Sequence, residues 1–141
     1  MSLRGGRGDL RDWIGQHLDP LEPHDPATRV APHSDFDLGK AYGPDEVDVP
    51  LTPAAVLIAL VERDAGLSVI LTRRADTLRR HTGQVALPGG RRDPGETPWQ
   101  TALREAHEEI GLDPDFVSLV GLSTPYQTGT GFLITPVVGF V

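Results

Sequence analysis

At 141 residues the chain has room for one compact domain with its own core and not for two of ordinary size. A formal net charge of −7 and a pI near 5.1 exclude a protein that holds nucleic acid or anionic membrane by bulk attraction, so any phosphate recognition must be local. Without cysteine there is no disulfide framework, thiolate metal site or cysteine nucleophile.

The first residues carry Arg and Asp but no apolar run of signal-peptide length, and no stretch approaches the roughly 20 apolar residues of a membrane span. A soluble cytoplasmic protein is the default expectation. Leu10, Trp13, Ile14 and Leu18 recur at helical spacing behind Asp9, which predicts a short amphipathic helix over 10–18, capped by Asp9 and packed on the domain. Six prolines punctuate residues 19–50, which read as an irregular arm. The expected organisation is a helix and Pro-rich arm over 1–50 followed by one compact domain over 51–141.

Residues 54–61 are an unbroken apolar run, and the turn signal Asp64-Ala65-Gly66 leads into residues 67–72, which predicts a β-hairpin with a buried first strand. Residues 116–122 and 132–141 read as further strands on either side of the turn Thr128-Gly129-Thr130-Gly131. The order β-β-loop-α-β-β predicts an α/β fold with a mixed sheet. The sequence stops inside the apolar run 137–141, which reads as a truncation.

Thr97, Pro98 and Gln100 spell a helix start with a capping box, and Gly111 followed by Pro114 a stop. Trp99, Ala102, Leu103, Ala106 and Ile110 fall on one stripe, expected to be buried. Glu105, Glu108 and Glu109 share an arc of roughly 100° beside that stripe. Carboxylates crowded there repel unless cations compensate, and hard oxygen ligands suit Mg²⁺ or Mn²⁺. For an isolated Glu-Glu pair on a helix, a solvated acidic face paired with Arg104 would be the favoured account. What favours a metal is the preceding Pro88-Gly89-Gly90, which lets backbone approach a phosphate or an ion closely, together with Glu96, placed to pair with Arg104 and hold the loop against the helix.

These residues resemble the Nudix box. That signature is Gly, five residues, Glu, seven residues, then Arg-Glu-aliphatic-any-Glu-Glu-any-Gly-aliphatic. The chain reads Gly90, Glu96 and Arg104-Glu105-Ala106-His107-Glu108-Glu109-Ile110-Gly111-Leu112, with Ala106 where a larger aliphatic residue is common. The resemblance implies an α/β/α sandwich and divalent-metal-dependent cleavage of a diphosphate linkage. Within it Glu105 and Glu109 are the principal metal ligands, Glu108 and the Gly89 carbonyl additional ones, and Arg104 orients the carboxylates. Glu105 is the candidate general base, although in some relatives a Glu of a later loop takes that part.

Six Arg lie within residues 73–92, interrupted by the single acid Asp76. Guanidinium groups between a strand and a metal loop suit bidentate phosphate binding, and surface Arg used for solubility explains them about as well. The segment also resembles the additional motif of the coenzyme A diphosphatases of this group, through Leu71, Thr72, Arg74, Ala75, Arg79, Gly83 and Pro88-Gly89-Gly90, with Ile70 and Leu87 as apolar replacements. This implies a small nucleotide substrate, coenzyme A or an acyl derivative, with Arg74, Arg79 and Gln84 on the substrate side and Arg80 and His81 as secondary candidates. Neither His81 nor His107 is assigned to catalysis. Two alternatives stay open, another nucleoside diphosphate derivative such as ADP-ribose or a dinucleotide, and a non-catalytic binding module.

Overall fold

The longest apolar run makes the longest strand. In a computed structural model, which describes residues 7–22, 33–34, 50–73 and 83–141, strand β2 covers Thr52–Arg63. The two-residue strand His33–Ser34 precedes it as β1. The pleat sends Ala55, Leu57 and Ala59 to one face, where none is exposed. Arg63 pairs with Gly66 across a two-residue turn into β3 (Gly66–Val69), the predicted hairpin. The second strand was expected to run to Thr72 and ends earlier. Beyond Ile70, whose N–H reaches Ala59, the chain leaves the sheet, and β4 (Thr72–Arg73) pairs instead with β5 (Val85–Ala86).

The opposite edge of β2 is occupied by β9 (Phe132–Phe140), parallel to it through nine residue pairs from Thr52↔Phe132 to Leu60↔Phe140. β6 (Gly89–Arg91) pairs antiparallel with the start of β2, beside which β3 covers the far end. β7 (Ser118–Leu122) and β8 (Tyr126–Gln127) share the outer edge of β9 in the same way, and β1 lies parallel to β8. The result is a seven-stranded mixed sheet. Phe116 was expected in a strand and sits instead in a 3₁₀ turn, Pro114–Phe116, because Pro114 and the Asp113 side chain, which accepts the Asp115 N–H, favour a tight turn.

Helix α2 covers Pro98–Ile110, with both caps as expected. The Thr97 hydroxyl accepts the Gln100 N–H at 3.2 Å, and the Gln100 side chain accepts the Thr97 N–H at 2.9 Å. Gly111 ends the helix at φ 67°. Thr97→Ala is expected to cost about 1 kcal/mol, read as a lowered midpoint in thermal denaturation. The buried stripe differs from the expected one. Ala102 and Ala106 are fully buried, Ile110 is exposed, and Thr101 is sealed inside. Small side chains let α2 lie close on Ala55, Leu57, Ala59 and Val137, and this tilts Thr101 inward.

Helix α1 covers Arg7–Gln16 and not 10–18. Asp9 lies inside its first turn, where a negative charge favours the helix dipole. At the other end the chain turns so that Asp19 and Leu122 exchange backbone hydrogen bonds, both 2.8 Å. Arg11 sits over the Phe140 ring at 4.6 Å and pairs with Glu62 at 3.2 Å. Glu62 and Phe140 share the face of β2 and β9 that carries Leu60, opposite to Ala55 and Leu57. The two helices therefore cover opposite faces, and the fold is an α/β/α sandwich.

Candidate active site

The site starts from a turn. Asp93-Pro94-Gly95-Glu96 has Pro at its second position and Gly95 at φ 82° in its third, and the Glu96 N–H closes it on the Asp93 carbonyl at 3.1 Å. This turn joins β6 to α2 and delivers Glu96 to the flank of the helix. There Glu96 meets Arg104, two turns along.

Arg104 is the hub. Its Nε donates to Glu96 Oε2 at 2.9 Å and its Nη2 to Glu96 Oε1 at 3.0 Å, a bidentate pair. Nη2 also reaches the Arg91 carbonyl at 3.1 Å, tying α2 to β6. Nη1 donates to Glu105 Oε1 at 2.9 Å and approaches Glu108 Oε2 at 3.4 Å. Asp93 adds a fourth carboxylate at 3.5 Å. The bonds from Arg104, helped by the N–H of Asp93 and the hydroxyl of Thr101, hold the Glu96 carboxyl down to about 2, against the opposing pull of burial. Glu96 in turn raises the pKa of Arg104.

The glycines set the distance between strand and helix. A Cβ on Gly90 would stand 2.6 Å from the carboxyl carbon of Glu105, while one on Gly89 would strike the Ala55 carbonyl and Val56 Cα. The two positions should therefore fail differently. Gly89→Ala collides with backbone and is expected to lower stability by about 2 kcal/mol or more, seen in denaturant unfolding. Gly90→Ala meets the end of a flexible side chain, so it is expected to fold and to displace Glu105, losing activity at nearly unchanged midpoint.

Of the expected site residues, the structure brings Glu96, Arg104, Glu105 and Glu108 into one hydrogen-bonded network. Glu109 accepts the Gly89 N–H at 3.4 Å, so Gly89 meets the carboxylate helix through its N–H. Glu105 is the most enclosed of the three helix carboxylates, with 18% of its side chain exposed against 57% for Glu108. Gln84 lies exposed just ahead of β5. Arg74, Arg79, Arg80 and His81 lie outside the described residues. Sequence reasoning missed Thr101, whose hydroxyl donates to Glu96 at 3.1 Å, and the Arg91 carbonyl and Asp93 N–H as members of the same network. The Pro-Gly pair at 94–95 was the available signal for the turn that places Asp93.

A hard divalent cation suits this donor set, which is carboxylate and backbone oxygen without thiol or imidazole. Here Glu105 and Glu108 are turned toward Arg104, and among the described residues no three acidic or imidazole groups stand together as a ready-made ion site. The fit therefore rests on the kind and placement of the donors.

The family model for the NUDIX domain matches residues 51–138, more than half of the chain. The chain belongs to the Nudix family. Among curated proteins, this Nudix chain is 47% identical over 89 residues to the uncharacterized Nudix hydrolase NudL of Enterobacter sp. (strain 638), covering 62% of the chain and 46% of that protein. It is 48% identical over 88 residues to Nudix hydrolase 3 of Caenorhabditis elegans, covering 62% and 37%. The chain thus spans less than half the length of these relatives. Among solved structures, a Nudix hydrolase from M. smegmatis, RenU, matches at 30% identity and TM-score 0.53, covering 65% of this chain and 62% of that one. The C. elegans Ap4A hydrolase, at 19% identity and TM-score 0.50 over 64% and 67%, shares the Nudix fold.

Proposed function

We propose that the chain is a Mg²⁺- or Mn²⁺-dependent diphosphatase acting on coenzyme A or its acyl derivatives, with 3′,5′-ADP and 4′-phosphopantetheine or its acyl form as products. The observation that carries the hydrolytic reading is the Glu105 carboxylate, lying against the bare backbone of Gly90 and tethered by Arg104 Nη1 at 2.9 Å. Glu105, Glu108, Glu109 and the Gly89 carbonyl are the groups that would hold the metal. A bound divalent ion supplies a more acidic attacking water and neutralises charge on the diphosphate.

The protein's own residues do the rest. Glu105 accepts the proton of the attacking water. Arg104 keeps Glu105 oriented through Nη1 while Glu96 saturates its Nε–Nη2 edge. The missing side chain at Gly90 lets the Glu105 carboxylate lie directly against the backbone of the loop. Arg74 and Arg79, with Gln84, supply cationic and amide donors for the phosphates of the substrate. The Arg-rich run is what favours coenzyme A, which carries a 3′-phosphate besides its diphosphate. Residues 51–141 are taken as the hydrolase unit, and among the described residues no helix is long and apolar enough to cross a membrane.

The test is incubation of the chain with coenzyme A, acetyl-coenzyme A, ADP-ribose and NADH, each with Mg²⁺, with Mn²⁺ and with chelator, followed by chromatographic separation of products. Metal-dependent release of 3′,5′-ADP is the expected result. Cleavage of ADP-ribose or NADH without any 3′,5′-ADP overturns the substrate, and no cleavage of any of the four overturns the enzymatic reading.

A further inference from the structure

Two polar side chains are buried among the described residues, Thr101 with no exposure and Thr135 at 8%. Thr101 belongs to α2 and faces the core with Ala102 and Ala106, where an alanine would pack as easily and favour the helix more. A hydroxyl cut off from water needs a partner inside the protein. Thr101 finds it in Glu96, donating to Oε1 at 3.1 Å, while its own N–H makes the ordinary helical bond to the Thr97 carbonyl.

That bond completes a cage. Glu96 Oε1 receives the Asp93 N–H at 2.8 Å from the loop, the Thr101 hydroxyl from the core and Arg104 Nη2 at 3.0 Å. Oε2 takes Arg104 Nε at 2.9 Å. With the carboxylate held from both loop and core, Arg104 must dock through its Nε–Nη2 edge, which leaves Nη1 turned toward Glu105 and Glu108. Without the hydroxyl the carboxylate keeps one anchor besides Arg104 and is free to swing about it.

We propose that Thr101 is a positioning residue: its buried hydroxyl fixes the plane of Glu96, and through Glu96 it aims the Arg104 guanidinium at Glu105. This rests on the assignment of Glu105 as the group that holds metal and takes the proton from water. Thr101→Val keeps the shape and removes the donor, and Thr101→Ser keeps the donor.

The experiment follows the Arg104 Nε–H by NMR in the full chain, without metal or substrate, its signal identified by its disappearance in Arg104→Lys. In Thr101→Val its exchange with solvent is expected to accelerate about tenfold, Mn²⁺ affinity followed by electron paramagnetic resonance to weaken about tenfold, and kcat to fall by a similar factor at constant KM. Thr101→Ser is expected to return all three toward the wild-type values. Thr101→Ala, which also lacks the donor, provides the same comparison should the valine fail to fold. Unchanged Arg104 exchange in both donor-less variants overturns the proposal, as does failure of Thr101→Ser to restore it. Because the exchange measurement needs no turnover, a wild-type chain that hydrolyses no diphosphate would remove the functional reading and still leave the role of Thr101 decided.

Discussion

Glu105→Gln is expected to reduce metal-dependent hydrolysis by about three orders of magnitude, roughly 4 kcal/mol of transition-state stabilisation, while leaving the fold in place. The two effects separate because of what Glu105 touches. Its described hydrogen bond is to Arg104 Nη1, and a glutamine carbonyl accepts that bond equally well. Packing against Gly90 is also preserved, since the side chain has the same length and shape. What disappears is the negative charge, and with it, on the proposed assignment, a ligand for the ion and the acceptor for the water's proton. The unfolding midpoint should stay within a few degrees of wild type, and Mn²⁺ affinity should drop together with kcat. Hydrolysis of coenzyme A at the wild-type rate by this variant would remove Glu105 from the chemistry.

Arg104→Leu is expected to dismantle the hydrogen-bonded architecture of the site. It leaves Asp93, Glu96, Glu105 and Glu108 near one another without the cation that now joins them. The loss should be about 2 kcal/mol at neutral pH, a figure held down by the water that still reaches this partly exposed cluster. Its pH dependence has a definite sign. The depressed pKa of Glu96 stabilises the folded wild type in full above the ordinary value of 4.5, and that contribution is lost as pH falls toward about 2. Arg104→Leu removes the largest cause of the depression, so the gap in stability between wild type and variant should narrow between pH 4.5 and 2. Urea unfolding at pH 7, 4 and 3 checks it, and a gap that widens on acidification contradicts the account. Arg104→Lys should recover little, because one ammonium group cannot span both Glu96 oxygens, the Arg91 carbonyl and Glu105 at once.

How much of this could be read beforehand depended on whether the deciding contact was local. The bounds of α2 are written within four residues at its start, Thr97 to Gln100, and in one glycine at its end, so they were legible. The pairing of Glu96 with Arg104 was legible too, because loop and helix adjoin in sequence. β6 was not: Gly89-Gly90-Arg91 has the composition of a loop, and becomes a strand through Val56, Ala55 and Ala54, more than thirty positions earlier. Thr101 was hidden for a related reason. Helical periodicity ranks positions by apolarity, whereas its inward tilt follows from how closely Ala102 and Ala106 let the helix settle on the sheet. The arginines proposed for the substrate side, Arg74 and Arg79, stand on composition and motif alone and lie outside the described residues.

The nine-pair parallel ladder between β2 and β9 joins segments eighty positions apart, Thr52 facing Phe132. Contacts of such range are slow to form, because a long loop must close before any of them contributes. Yet α2 rests on both of these strands, through Ala55, Leu57 and Ala59 on one and Val137 on the other. During synthesis the carboxylate helix and its glycine strand therefore emerge from the ribosome well before the surface they sit on is complete. A nascent chain halted before residue 132 would carry every acidic group of the box and still lack half of the platform that sets their spacing. Close seating of α2 on the sheet should accordingly appear in one step, once β9 has emerged, instead of growing with chain length.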